Sequence, residues 1–191
     1  MRPPLTGKNI LTKNTLDKFI EKIASSWGPL TSKLVAGSCH HLKELLKTPA
    51  TEDWLAKLLR EAPAYDEIYR DSAHGFVLLA HMEHTGLYRP PHDHGRGWVM
   101  YGVLQGESEM STYARIEEPD GRISLVKRNV TRVGPGQVQL YLPGDIHDTL
   151  CISGPALLFR FTERDLKKED KDAHKVTRYV EQDGVWIPGR H

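Results

Sequence analysis

From Tyr69 onward the chain is cut into short apolar runs by Gly, Pro and Asp, and this segmentation constrains the fold more than any other feature. The runs are "HGFVLLAHMEH", "GWVMYGVLQGESEMSTYARI", "RISLVKRNVTRV", "GQVQLYLP", "HDTLCI" and "PALLFRFT". They are rich in β-branched and aromatic residues and bounded by turn residues, which are the marks of strands. Two stretches, "EEPDGR" (117–122) and "EQDGV" (181–185), place Asp-Gly where hairpins turn, so neighbouring strands are expected to be antiparallel. At least six short strands at this spacing predict a mainly-β sandwich or barrel.

Ahead of Tyr69 the period changes. Between Asn14 and about Ala62, apolar residues recur at helical spacing, as in "LDKFIEKIASSW" and "ATEDWLAKLLREA", with breaks at Gly28-Pro29 and Thr48-Pro49. Two to four short helices are predicted there, with Glu52 and Asp53 as acids in a first helical turn. The chain thus divides into an N-terminal helical segment, residues 1–66, packing on a β-barrel of residues 67–191, the two forming one structural domain. The charged stretch "TERDLKKEDKDAHK" (162–175) reads as an exposed loop or short helix before a terminal hairpin.

Charge narrows the class of partner. Among 191 residues, 26 basic side chains face 25 acidic ones for a formal charge of +1, so no global field draws the protein to nucleic acid or to an anionic membrane. Nor does any apolar run approach the roughly 18 residues that span a bilayer. A small-molecule site is the expectation. With two cysteines, Cys39 and Cys151, and no apolar leader, no disulfide framework is expected and the expected location is cytoplasmic. The "SCHH" stretch (38–41) lacks the paired spacing of a metal site and reads as structural.

The chemistry concentrates around "PPHDHGRGW". Strand residues two apart project on one side, so His92 and His94 can present their imidazoles to one metal ion. In "PGDIHD", His147 follows a Pro143-Gly144 turn and offers a third ligand. These residues sit in a pattern that resembles the cupin family: Gly86, five residues, His92-Asp93-His94, four residues, Val99 in place of the usual glutamate, six residues, Gly106. The family's second motif is matched by Gly136, Leu142-Pro143-Gly144, His147 and Cys151, with the proline displaced by one position and the motif asparagine replaced.

This resemblance implies a cupin double-stranded β-helix, a jelly-roll barrel, preceded by helices. Within the cupins, "PPHDHG" followed by "YGVLQGE" without the motif glutamate looks like the cysteine dioxygenase and 3-mercaptopropionate dioxygenase group. That likeness implies Fe(II) on His92, His94 and His147 and, as substrates, a small carboxylate-bearing thiol and dioxygen, the thiol becoming its sulfinic acid. Three neutral imidazoles would also accept zinc or nickel. The alternatives are a metal-dependent cupin enzyme acting on a non-thiol small molecule, and a non-catalytic metal- or ligand-binding cupin. Monomer and homodimer both remain open.

One departure from the group bears on specificity. The group's Ser-x-His-x-Tyr network is replaced by Leu158, Arg160 and Thr162. These three share one strand face while Leu157, Phe159 and Phe161 share the other; which face lines the barrel is open in the sequence. Arg160 and Arg70 are both candidate anchors for a substrate carboxylate, with Tyr101 as a hydrogen-bond donor. Trp98, Val99, Tyr113, Leu158 and Thr162 are expected around the pocket, Tyr113 from a strand adjacent to that of Tyr101. His81 and His84 are candidates to orient a ligand imidazole, and Cys151 reads as a small buried hydrophobe.

Overall fold

The structure, a computed structural model, describes residues 13–173 and 176–189; residues 1–12 of the expected helical segment, 174–175 of the charged stretch and 190–191 lie outside the described residues. Among the described residues three helices come first, α1 (Thr15–Ser26), α2 (Ser32–Leu45) and α3 (Asp53–Glu61). The Asn14 side chain caps α1 by accepting from the Asp17 N–H at 2.8 Å, and Thr31 caps α2 by accepting from the Leu34 N–H at 3.2 Å. Glu52 differs from its expected place in a first turn. It precedes α3 without capping it, and its carboxylate accepts from Thr15 Oγ1 at 2.8 Å and Trp54 Nε1 at 3.0 Å, tying α3 to the start of α1.

Nine strands follow among the described residues: β1 (Asp66–Arg70), β2 (Val77–Glu83), β3 (Tyr88–His92), β4 (Val99–Glu117), β5 (Ile123–Val133), β6 (Val138–Tyr141), β7 (Ile146–Thr162), β8 (Tyr179–Gln182) and β9 (Val185–Pro188). A short helix, α4 (Leu166–Ala173), separates β7 from β8. The runs "HDTLCI" and "PALLFRFT", which read as two strands, are the two halves of β7.

The long strands β4 and β7 run through one hydrogen-bonded network of seven strands, which their length divides into two sheets, while β8 and β9 pair apart from it. Val99–Val103 of β4 pairs with Leu158–Thr162 of β7, flanked by β6 on one side and by β2 and β1 on the other. Beyond a bend, Thr112 of β4 stands opposite His147 of β7, and this second sheet is flanked by β5 and β3. Two antiparallel sheets joined through shared, bent strands make a jelly-roll barrel. The bend needs glycine at 106: φ there is +73°, and a Cβ would lie 2.5 Å from the Ser153 carbonyl oxygen and 2.6 Å from the Ala156 Cβ.

Strand alternation then sorts the core. Phe76, Leu78, Trp98, Met100, Phe159 and Phe161 face out of the first sheet and are buried under the helices, against Phe19, Ile23, Leu42 and Leu55. There Trp27 packs on Phe76 at 4.9 Å between ring centres, and Phe161 meets Phe19 edge-on at 5.5 Å. Val99, Tyr101, Val103, Met110, Cys151 and Leu158 fill the interior of the barrel. A third cluster, Tyr113, Leu125, Ile146 and Tyr179, lies beneath the β8–β9 hairpin. No helix among the described residues is long and apolar enough to cross a membrane.

Candidate metal centre

His92, the last residue of β3, stands opposite His147 in the ladder with β7, so the two rings form a cross-strand pair with centres 4.6 Å apart. His94 does not reach them by strand alternation, the route expected from the sequence, because β3 ends at His92. Instead, Asp93 Oδ1 accepts from the Gly95 and Thr177 N–H groups, each at 2.9 Å, and the Asp93 N–H donates to the Thr177 carbonyl at 3.0 Å. This clasp turns the chain and aims His94 at the pair. His94 Nε2 lies 3.5 Å from His147 Nε2, and one nitrogen from each of the three rings lies within 4.8 Å of the others. Two nitrogens roughly 2.1 Å from one ion at a tetrahedral angle are about 3.4 Å apart, so the His94–His147 spacing is that of two ligands, with His92 close enough to complete the set.

Protonation agrees with this geometry. All three imidazoles are held below their ordinary range, burial being the largest cause in each and the nearby positive charge of Arg160 adding to it. The rings are therefore neutral, with lone pairs to offer. His92 Nδ1–H donates to the Pro90 carbonyl at 2.8 Å, which leaves its Nε2 as the ligand atom. The Nδ1 atoms of His94 and His147 are buried without a partner among the described residues. Three buried neutral imidazoles with ring nitrogens converging on one point fit a divalent cation. Among the described residues this is the one group of His, Cys, Asp or Glu that could hold a metal, and the 38–41 stretch on α2 forms none.

The centre opens to one side. His92 and His94 line a cavity of about 910 Å³ whose wall includes Tyr88, Pro91, Arg160 and Arg178. Arg160 pairs across the sheet with Tyr101 on β4 and Leu79 on β2, while its neighbours Phe159 and Phe161 face the helices. Its guanidinium therefore points into the barrel, and its Nε is buried with no hydrogen-bond partner among the described residues. Tyr101 lies on the same inner face, its hydroxyl 3.5 Å from His94 Nε2. Tyr141, which no sequence signal singled out, stacks on His147 at 3.7 Å with planes 14° apart.

Several residues lie elsewhere than expected. Arg70 is exposed and held by Glu67 at 2.6 Å and Asp165 at 2.7 Å, outside the cavity the histidines line. Trp98 faces away from the pocket and packs on Trp27 and Phe161 under the helices, as strand alternation requires once its neighbour Val99 points inward. Tyr113 shares β4 with Tyr101 rather than lying on an adjacent strand. It points outward beneath the terminal hairpin, where its hydroxyl donates to Asp148 Oδ2 at 2.5 Å. The reason is local: pairing shifts register between Val103 and Ser108, and a one-residue shift exchanges the faces of all later side chains. Val99 and Leu158 form the apolar interior below the centre, and Thr162 lines a separate small cleft with Arg160.

The remaining candidates are quieter. His81 is buried on the inner face of β2, its Nε2 without a partner, and burial followed by the Arg160 charge pushes its pKa down to about 3. His84 lies just past the end of β2, exposed. Cys151 is fully buried and its thiol pKa is pushed up by burial, as for a hydrophobe rather than a nucleophile.

Fold and side chains together define a class: a jelly-roll barrel with a three-histidine candidate metal centre at the end of an open cavity. Among solved structures the chain is similar to KdgF from Halomonas sp., at 19% identity over 53% of this chain and 80% of that one, with a TM-score of 0.39. It is also similar to the Schizosaccharomyces pombe Cnp3 cupin domain, at 14% identity over 56% and 69% of the two chains (TM-score 0.42). A cupin superfamily protein from Desulfitobacterium hafniense matches at 14% identity over 53% and 76%, with a TM-score of 0.39. No protein-family profile and no curated protein matches the chain.

Proposed function

We propose that the protein is an Fe(II)-dependent thiol dioxygenase that oxidises a small carboxylate-bearing thiol, of the cysteine or 3-mercaptopropionate type, to its sulfinic acid. One observation carries this reading: Arg160, with a buried and unsatisfied Nε, shares an open cavity with His92 and His94. A substrate carboxylate supplies the acceptor that the described residues do not, and the fork of the guanidinium fits it. The other end of a short molecule then lies beside the imidazoles. Fe(II) held there supplies the redox chemistry that lets dioxygen react with a thiolate, which zinc lacks. Both oxygen atoms end on sulfur, which gives up the electrons that dioxygen accepts, so thiolate and dioxygen balance to sulfinate without an external reductant.

The chain's own groups do the rest. Three neutral imidazoles leave the ion its full charge, Arg160 orients the substrate, and the Tyr101 hydroxyl stands where it can donate to a negative group at the centre. Val99, Val103 and Leu158 keep the inner side dry. Anaerobically Fe(II)-loaded protein is expected to take up oxygen with 3-mercaptopropionate or cysteine, form the sulfinate, and lose both in His147→Ala. Arg160→Gln should raise KM for those thiols about 10-fold or more, the worth of a charged hydrogen bond, and leave cysteamine, which has no carboxylate, unchanged. No uptake with any thiol by fully loaded protein overturns the reading.

A second reading keeps the centre and takes a non-thiol carboxylate. It is favoured by Leu158, Arg160 and Thr162 standing on β7 in place of the Ser-x-His-x-Tyr network. Thiol-independent turnover by the loaded protein would select it.

A further inference from the structure

The cavity over the histidines is more positive than a single carboxylate requires. Among the described residues its lining carries Arg89, Arg160, Lys167, Lys171 and Arg178 against one anion, Asp170. Two of these cations are already matched: Arg89 pairs with Glu83 at 2.8 Å and Arg178 with Asp170 at 2.8 Å. Among the described residues, Arg160, Lys167 and Lys171 have no carboxylate in an ion pair with them. Lys167 Nζ rests 3.9 Å over the Tyr65 ring, a contact that places the ammonium without neutralising it. The nearby Asp165 carboxylate is taken by Arg70 at 2.7 Å.

These charges differ in depth rather than standing wholly apart, since Arg160 and Lys167 also share the small cleft beside Tyr65. Arg160 projects from β7 into the barrel beside the imidazoles. Lys167 and Lys171 lie four residues apart on α4, so they share one face of that helix, and both are exposed on the cavity wall. A volume of about 910 Å³ also suits a molecule larger than a three-carbon acid, since pockets of roughly 300–1,000 Å³ hold drug-sized ligands.

The geometry points to a substrate with two carboxylates, one seated on Arg160 beside the histidines and the second held by Lys167 and Lys171 of α4. This rests on the proposed function, with its three-histidine centre and Arg160 anchor, and narrows the carboxylate-bearing thiol to one with a second carboxylate at its far end, of which cysteine and 3-mercaptopropionate are shorter, one-carboxylate analogues. Selection comes from charge: a monoanion leaves the two lysines unmatched, and a dianion satisfies both ends of the cavity.

The test uses Zn(II)-loaded protein, which binds without turning over. Calorimetry would compare the straight-chain dicarboxylates from succinate to suberate, each against its own monomethyl ester. At least one diacid is expected to bind about threefold to tenfold tighter than its ester at low salt, the worth of two partly exposed ion pairs. That advantage should vanish in the Lys167→Gln/Lys171→Gln double variant and in about 1 M salt, with ester binding unchanged by the lysine substitutions. Arg160→Gln should weaken diacid and ester alike. Equal affinity across every pair, an advantage that survives the lysine substitutions, or no binding at all overturns the inference. No thiol or dioxygen enters this measurement. Selectivity without oxygen uptake would therefore count against the dioxygenase reading alone, and uptake without selectivity against the dicarboxylate alone.

Discussion

His81 carries an imidazole that the folded chain keeps neutral, and this couples stability to pH. Burial followed by the Arg160 charge sets its folded pKa at about 3, against an ordinary value of 6.5. Below 6.5 the unfolded chain takes up a proton that the folded chain refuses, so this contribution is complete above 6.5 and is lost as pH falls toward 3. At pH 5 the loss amounts to about 2 kcal/mol. Urea denaturation of the metal-free protein at pH 7 and pH 5 should show a stability drop that is smaller by about that amount in His81→Leu; an identical drop in both proteins would contradict this environment. At the same scale, the three ligand histidines could be read from the spacing of their motifs. Arg160 could not be placed, because strand alternation says which residues share a face but not which face is inside. Tyr141 gave no signal, since its stacking on His147 depends on two strands being brought together in space.

Among the elements, the bend shared by β4 and β7 controls how the site is assembled. Gly106→Ala would force a Cβ to within 2.5 Å of a backbone oxygen at a positive φ, and the expected cost is about 2–4 kcal/mol, read as a shift in the denaturation midpoint. No change in midpoint would mean that the strands cross with more room than this. The strands were legible as apolar runs between turn residues, and the hairpin turns as Asp-Gly pairs. What the pattern concealed was continuity: β7 reads as two strands because Ser153, Gly154 and Pro155 interrupt its apolar run, although the chain stays paired on both sides. The register shift in β4 was hidden for a similar reason, since a bulge adds a residue without changing composition, and it moved Tyr113 to the outside.

For the molecule as a whole, an ion bound by β3, β7 and the loop between β3 and β4 would cross-link three segments that otherwise meet only through the ladder and the Asp93 clasp. Zn(II) at about 100 times its dissociation constant should therefore stabilise the fold by about 2.7 kcal/mol, seen as a rise in Tm. His147→Ala should abolish that rise; a rise that persists in the variant would place the binding elsewhere. The helices serve this scale in a different way, by covering Phe76, Trp98, Phe159 and Phe161, so that the same sheet is sealed on its outer face and lined by Arg160 on its inner one.

One strand carries both ends of the proposed catalytic span, His147 in its first half and Arg160 in its second, with Ser153, Gly154 and Pro155 between them. β7 is thus a ruler graduated in residues. Because strand faces alternate, adding or removing one residue between them would turn His147 or Arg160 out of the barrel, whereas two would keep both inside and reset the length of molecule that fits between metal and guanidinium. The lysines of α4 sit on a separate piece of chain, so among descendants of this protein, reach and charge preference would be free to change independently.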